Sequence, residues 1–208
     1  RQHAGHSAVA VVAVGDEVLR GQLIATAEGS TSACVHAPTS GRVSALEYRA
    51  IPGSEHPGCL AVVIQADGLD RACDAQPLPD WPHSTRESLR QHLATVGLVG
   101  LGGAVFPSHR KLEPHHRRDF SRVSEVPLHT VILNGAECEP YLSCDESLML
   151  YHAEQVVNGA RILRHAAAAE EVVIAIEDRM DAVARALREQ IQPAEQSWLR
   201  IVQVPTYY

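Results

Sequence analysis

Apolar and polar positions along this chain follow two different rhythms. From residue 1 to about residue 68 the apolar residues come in short runs. Ser7 to Val14, Leu23 to Ala27, Arg42 to Tyr48 and Leu60 to Gln65 are rich in Val, Ile, Leu and Ala. Turn-forming residues separate them at Gly15-Asp16, Glu28-Gly29-Ser30, Pro38-Thr39-Ser40-Gly41 and Pro52-Gly53. Short strands at this spacing predict a small β-sandwich or barrel. Residues 69–83 hold Pro77, Pro79 and Pro82 and little periodicity, as expected of a linker between domains.

From Ser84 the period becomes helical. Ser84 and Glu87 form a capping box, and Leu89, Leu93 and Val96 then share one helical face. Gly97 stands where a glycine closes a helix. The polar stretch from Glu113 to Val126, with His115-His116-Arg117-Arg118, reads as a solvated loop. His129 to Leu133 predicts a strand. A second capping box, Ser143 and Glu146, opens a long helix carrying Leu148, Val156, Ile162 and Leu163 to about Ala168. Val172 to Ile176 is a strand, Asp181 to Ile191 a helix, and Leu199 to Val204 a third strand. Strands alternating with helices predict a parallel sheet covered by helices over 84–208. Ligands in such sheets sit beyond the carboxyl ends of the strands, and Asn134 to Pro140 occupies that position after the first of them.

Composition narrows the classes. A hydrophobic share of 45% supports a genuine core, but with 4% aromatics it must be filled by aliphatics and alanine. A net charge of −7 argues against nucleic acid as a partner, because that binding rests on Lys and Arg neutralising phosphates. No run approaches the eighteen or so apolar residues of a membrane span, and no secretory signal is visible. Five cysteines without a Cys-x-x-Cys pair fit reduced thiols rather than a disulfide framework, and they supply no local metal or cluster ligand set. A start at Arg1 without methionine, and an end after Tyr208, read as a fragment of a longer protein.

Two segments carry candidate chemistry. Gly97-Leu98-Val99-Gly100-Leu101-Gly102-Gly103-Ala104-Val105-Phe106-Pro107 places four glycines in seven residues, followed by Lys111, the chain's only lysine. Glycines this close let a backbone approach a ligand, and their N–H groups can hold anionic oxygens. Phe106 can stack on a planar ring and Lys111 can pair with a phosphate. The segment follows a helix and lacks the G-x-G-x-x-G spacing, which excludes the Rossmann fingerprint. In the second segment, Asn134-Gly135-Ala136-Glu137-Cys138-Glu139-Pro140, an amide offers both donor and acceptor, and a carboxylate can hold ribose hydroxyls or a nicotinamide amide. No catalytic triad is supported, and His36 and His129 read as core or edge histidines.

The run Val14 to Gln22, followed by Ala37-Pro38-Thr39-Ser40-Gly41-Arg42-Val43, resembles the barrel-sandwich hybrid of biotinyl and lipoyl carriers. Carrier chemistry is excluded, because no lysine precedes Lys111. The run Gly100 to Pro107 with Lys111, then Asn134 to Tyr141, then Asp145 and Met149, closely resembles the RnfC (RsxC) family. That family provides the peripheral subunit of the ion-translocating ferredoxin:NAD oxidoreductase. More distantly the segments are similar to the NADH-binding flavoprotein subunit of respiratory complex I. The resemblance covers essentially the whole chain. It implies an α+β chain in two parts: a β barrel-sandwich hybrid-like domain over 1–68, the linker, and a truncated α/β three-layer domain with a parallel sheet over 84–208.

The resemblance also implies FMN bound by Gly102, Gly103, Lys111, Asn134 and Glu137, with Phe106 and Glu139 as contacts of NAD(H). Catalytic side chains and metal ligands are not implied within this chain. The 4Fe-4S clusters of the family lie in a C-terminal part absent here, so the fragment alone is expected to be inactive. The implied partners are NADH, the other subunits of a membrane complex and, indirectly, ferredoxin, at the cytoplasmic face of the bacterial inner membrane. In the family a glycine usually stands where this chain has Val105, and an arginine often stands where it has Ser147. Val105 is expected to lower flavin affinity, and would be strained if its φ is positive. Two other readings compete: a docking fragment without flavin, and a flavoprotein subunit of a soluble hydrogenase or formate dehydrogenase.

Overall fold

The structure, a computed structural model, describes residues 2–29, 31–50, 58–75, 77–78, 80–101, 104–113, 115–119, 122–126 and 128–206. The chain divides into two compact units, one of residues 1–80 with 88–111 and the other of 81–87 with 112–208.

The first unit contains β1 (Val9–Ala10), β2 (Glu17–Val18), β3 (Leu23–Thr26), β4 (Val35–His36), β5 (Gly41–Arg49) and β6 (Cys59–Ala66). They pair in two antiparallel three-stranded sheets, β1-β3-β4 and β2-β5-β6. Val18, Ile24, Ala37 and Val43 are the core, with Val35, Leu46, Val62 and Ile64 packed around them. Apolar side chains of both sheets face inward, as in a sandwich.

The expected Ser7–Val14 strand contracts to β1. The Val11 N–H still reaches the Ile24 carbonyl at 3.0 Å, but the Ala13 N–H turns to the Asp16 carboxylate at 2.8 Å. That bond bends the chain into its next turn. The two-residue strands β2 and β4 are too short to carry a period. The Pro52-Gly53 turn lies outside the described residues.

The start of the expected linker is fastened to this unit. The Ser40 hydroxyl donates to the Asp67 carboxylate at 2.7 Å, the Leu69 N–H donates to it at 2.9 Å, and the Arg71 guanidinium holds its other oxygen at 2.9 Å. The Cys73 N–H reaches the Arg20 carbonyl at 2.9 Å. The hydrogen bonds from Ser40 and Leu69, then Arg71, hold Asp67 well below the usual carboxylate range, at about 2.

Helix α1 (Arg86–Thr95) starts one residue later than a Ser84 cap requires, and buries Leu89 and Leu93, while Val96 is left half-exposed. Gly97 closes it as expected. Its φ is +70°, its N–H reaches the Ala94 carbonyl, and the Leu98 N–H reaches the Leu93 carbonyl. This pair of bonds is the Schellman motif. A Cβ at Gly97 would lie 2.4 Å from the Cys34 carbonyl oxygen, so the helix end is also seated on the β-rich part. Most of α1 and the glycine segment, placed by the sequence reading in the second domain, therefore pack in the first unit.

In the second unit the stretch from residue 112 begins with a hairpin of β7 (His115–Asp119) and β8 (Arg122–Val126), in register from His115↔Val126 to Asp119↔Arg122. The solvated loop expected there is thus corrected. Main-chain pairing needs no apolar side chains, so a charge run does not exclude it. Next come β9 (Thr130–Asn134), α3 (Cys144–Tyr151), α4 (Ala153–Ala167), β10 (Glu171–Glu177), α5 (Asp181–Gln190) and β11 (Leu199–Val204). The three strands form a parallel sheet with β10 central, pairing Val172 with Val131 and Leu199, and Ile174 with Leu133 and Ile201.

Val172, Ile174 and Ile176 pack against Met149, Ala153, Val157 and Ala160 of α3 and α4, and against Val183 and Leu187 of α5. These helices supply one covering layer of the sheet. The single long helix expected from Ser143 breaks at His152, with φ −127° and ψ 35°. Met149 and Ala153 keep the buried stripe continuous across the break, so periodicity cannot reveal it.

Gly97→Ala should destabilise the first unit by at least the left-handed backbone cost, about 1–2 kcal/mol, read by urea denaturation. The depressed Asp67 carboxyl adds stability above about pH 4 that fades as pH falls toward 2. The stability difference between wild type and Asp67→Asn should therefore be full near neutrality and close across that window.

Candidate functional site

The glycine segment folds back on itself. Val99 and Pro107 form an antiparallel bridge, the Gly100 N–H reaches the Phe106 carbonyl at 2.9 Å, and the Ser108 N–H reaches the Leu98 carbonyl at 2.9 Å. Pro107 is buried and anchors the base of this loop, while Leu101 at its tip is 97% exposed. Gly102 and Gly103 lie outside the described residues. A Cβ on Gly100 would meet the Lys111 Nζ and the Phe106 carbonyl only at 3.7 Å, so the fold itself tolerates alanine there. Lys111, at the end of the short helix α2 (Ser108–Lys111), places its Nζ 6.0 Å from the Phe106 ring centroid. At that distance the cation lies at the edge of cation–π range. It has no carboxylate partner among the described residues. Val105 has a φ of +44°, and its carbonyl accepts the Ala4 N–H at 3.1 Å. A β-branched residue in the left-handed region is strained by about 1–3 kcal/mol.

The second segment leaves β9 at the carboxyl end of the sheet. Asn134 is exposed, and its Oδ1 accepts the Ala136 N–H at 3.2 Å, which turns the chain and leaves the amide NH2 to offer. Gly135 is closely packed, and a side chain there would push the end of Met149 aside. Its N–H reaches the Ala175 carbonyl at 2.7 Å, and a Cβ would fall 2.5 Å from the Met149 sulfur. Glu137 is buried, with both carboxylate oxygens engaged. Oε1 accepts the Glu146 N–H at 2.9 Å, and Oε2 accepts from the Cys144 Sγ at 3.6 Å.

This corrects the expected Ser143 capping box, since Ser143 makes no side-chain cap bond. The orphan N–H in the first turn of α3 is satisfied instead by Glu137, seven residues before that helix begins. A carboxylate also suits the positive end of the helix better than a hydroxyl.

The Glu137 N–H in turn donates to Glu177 Oε1 at 3.0 Å. Glu177, at the end of β10, is buried. Its Oε2 is held by Arg179 Nε at 2.6 Å, and Arg179 Nη1 reaches the Glu146 carboxylate at 2.6 Å. Neither Glu177 nor Arg179 was a sequence candidate. Forty residues separate Glu137 from Glu177, and no local pattern links them.

Burial, then the charges of Glu137 and Asp145, push the Cys144 thiol up. Burial and Glu137 likewise raise Asp145. Glu137, Cys144 and Asp145 present donor atoms within 4.8 Å of one another, but the Glu137 carboxylate among them is already serving the start of α3.

The outward-facing groups are Asn134, Cys138 and Glu139, and the Glu139 carboxylate has no partner among the described residues. The structure thus brings Phe106 and Lys111 together in the first unit. It gathers Asn134, Glu137 and Glu139 into one loop of the second.

The first unit is thus a β-sandwich, and the second a parallel α/β sheet with an exposed amide and an exposed carboxylate beyond the end of β9. Residues 93–208 match the Nuo51 FMN-binding domain, and residues 1–69 match the RnfC barrel sandwich hybrid domain. The chain belongs to the Nuo51 FMN-binding domain family, in the form that carries an RnfC-type barrel at its start.

It is 40% identical over 210 residues to the ion-translocating oxidoreductase complex C-subunit of Pasteurella multocida, covering 100% of this chain and 24% of that one. The same protein of Pseudomonas aeruginosa is 40% identical over 207 residues, with 100% and 25% covered. That of Haemophilus influenzae is 36% identical over 211 residues, with 100% and 24% covered. The chain spans about a quarter of the length of these relatives. A solved NAD+-reducing NiFe-hydrogenase, in its H2-reduced state, aligns with a TM-score of 0.44 and 21% identity over 62% of this chain and 22% of that one. A likeness of that size carries no argument. No helix among the described residues is long and apolar enough to cross a membrane.

The raised Cys144 thiol should be alkylated by iodoacetamide more slowly than a cysteine in an unstructured peptide. Peptide mass spectrometry over a time course reads the rate.

Proposed function

We propose that this chain is the FMN- and NAD(H)-binding part of an electron-transfer subunit of an ion-translocating oxidoreductase. The observation that carries the reading is the state of the groups within the FMN-binding match. Lys111, the Asn134 amide and the Glu139 carboxylate are left without full partners, while Glu137 is spent on holding its loop. The donor set suits FMN. A cation and glycine N–H groups can take a phosphate, an amide can meet a heterocycle edge, and a carboxylate can take ribose hydroxyls.

In this reading Gly102, Gly103 and Lys111 hold the phosphate end, and Asn134 orients the ring system. Glu137 fixes the segment that presents Asn134, and Phe106 and Glu139 receive the nicotinamide nucleotide. When bound, the flavin supplies the chemistry that converts a two-electron hydride transfer into single-electron steps to iron–sulfur clusters. The residues bind, orient and exclude water. The 4Fe-4S clusters belong to the remainder of the full-length subunit. The partners are the other subunits of the complex and, through them, ferredoxin, at the cytoplasmic face of the bacterial inner membrane. The translocase activity is that of the assembly, and the 208-residue chain alone is inactive.

The φ of +44° at Val105 favours one second reading, a docking module that binds no flavin. Titration of FMN with the purified chain separates the two. Wild type should quench FMN fluorescence to a saturable endpoint. Val105→Gly, which removes a branched side chain from the candidate loop, should bind more tightly, and Lys111→Met more weakly. Equal, tight binding by wild type and Val105→Gly would remove the role given to Val105. No perturbed flavin spectrum with either protein would leave the docking module as the function.

A further inference from the structure

Glu177 stands where all three strands of the parallel sheet end. One carboxylate oxygen accepts the Glu137 N–H at 3.0 Å, from the loop that follows β9. The other is held by Arg179, just beyond β10, at 2.6 Å, and is touched more weakly by the Thr206 hydroxyl, beyond β11, at 3.4 Å. Arg179 extends the connection to the Glu146 carboxylate at 2.6 Å, and the Glu146 N–H returns to Glu137 at 2.9 Å. The links form a closed ring: Glu137 main chain, Glu177, Arg179, Glu146, Glu137 side chain. Within it the Glu177 side chain is 4% exposed, whereas that of Arg179 is 42% exposed.

A buried carboxylate is expensive unless its charge is met. Here the partners include the Arg179 guanidinium and the Glu137 main-chain N–H, and that N–H belongs to the Asn134–Glu139 segment. We propose that Glu177 is the positioning residue of the cofactor segment, locking the loop of Asn134, Glu137 and Glu139 at the strand ends through the Glu137 amide. The proposal rests on the FMN reading given above. Glu177 touches no cofactor in it and acts only through the main chain of Glu137. Arg179 acts one step further away, by orienting Glu177 and Glu146 together.

The test compares wild type with Glu177→Ala, Glu177→Gln and Arg179→Met in the same chain. Amide hydrogen exchange is read residue by residue, and FMN affinity is measured by titration. In Glu177→Ala the amides from Gly135 to Glu146 should exchange about tenfold faster, while those of Val172 to Ile176 stay protected. FMN should bind about tenfold more weakly. Glu177→Gln retains a carbonyl oxygen for the Glu137 N–H and should recover both to within about threefold of wild type.

Acceleration spread equally over the whole sheet would mean a purely structural carboxylate and would overturn the proposal. So would unchanged exchange in a folded Glu177→Ala, or local acceleration with unaltered FMN affinity. If Glu177→Ala does not fold, the proposal stands or falls on Arg179→Met, which should show the same local acceleration in weaker form. Failure of wild type to bind FMN overturns the function reading instead, and the exchange pattern still decides whether Glu177 holds the loop.

Discussion

The buried charge of Glu177 is the constraint around which the second unit is organised. A carboxylate taken out of water needs partners of fixed geometry, and those of Glu177 include the Glu137 main chain, Arg179 and, weakly, Thr206, with Arg179 reaching on to Glu146. Meeting that requirement ties the loop after β9 to the ends of β10 and β11. The same loop supplies Glu137 as the cap of α3, so helix and sheet are joined at the edge where ligands of parallel sheets gather. Glu137 is buried, while Asn134 and Glu139 on either side of it in the chain are exposed.

The first unit stabilises its own candidate segment differently. Gly97 ends α1 in a left-handed conformation that no Cβ could share with the Cys34 carbonyl. From there a narrow loop runs out and returns, closed by the Val99–Pro107 bridge. Inside it Val105 is held at a φ of +44°, and its carbonyl is bonded to Ala4. Strain at such a place persists only where surrounding contacts over-determine it. The buried Pro107 and the bonds at the base of the loop are those contacts.

Much of the architecture was legible in the order of residues. β9, β10, β11 and α5 follow from runs whose apolar positions repeat every two or every three to four residues, and they lie within a residue of expectation. The left-handed strain at Val105 was visible as a valine standing where the resembling family has glycine. The exposed Lys111, Asn134 and Glu139 stand in segments whose composition alone marked them for a ligand.

Other features were not legible, for a common reason. Ser143 and Glu146 spell a capping box, yet a carboxylate from Glu137 outcompetes the serine hydroxyl for the amide. The break at His152 leaves the buried stripe intact, and the hairpin of β7 and β8 hides beneath a charge run. By itself the sequence determined what depends on neighbours a few residues away: period, turn and helix-end chemistry, and the types of group available to a ligand. Only the tertiary structure decided which carboxylate is spent inside the fold and which is left to face outward. That choice depends on partners some forty residues distant, and burial is what makes one arrangement of them far cheaper than the rest.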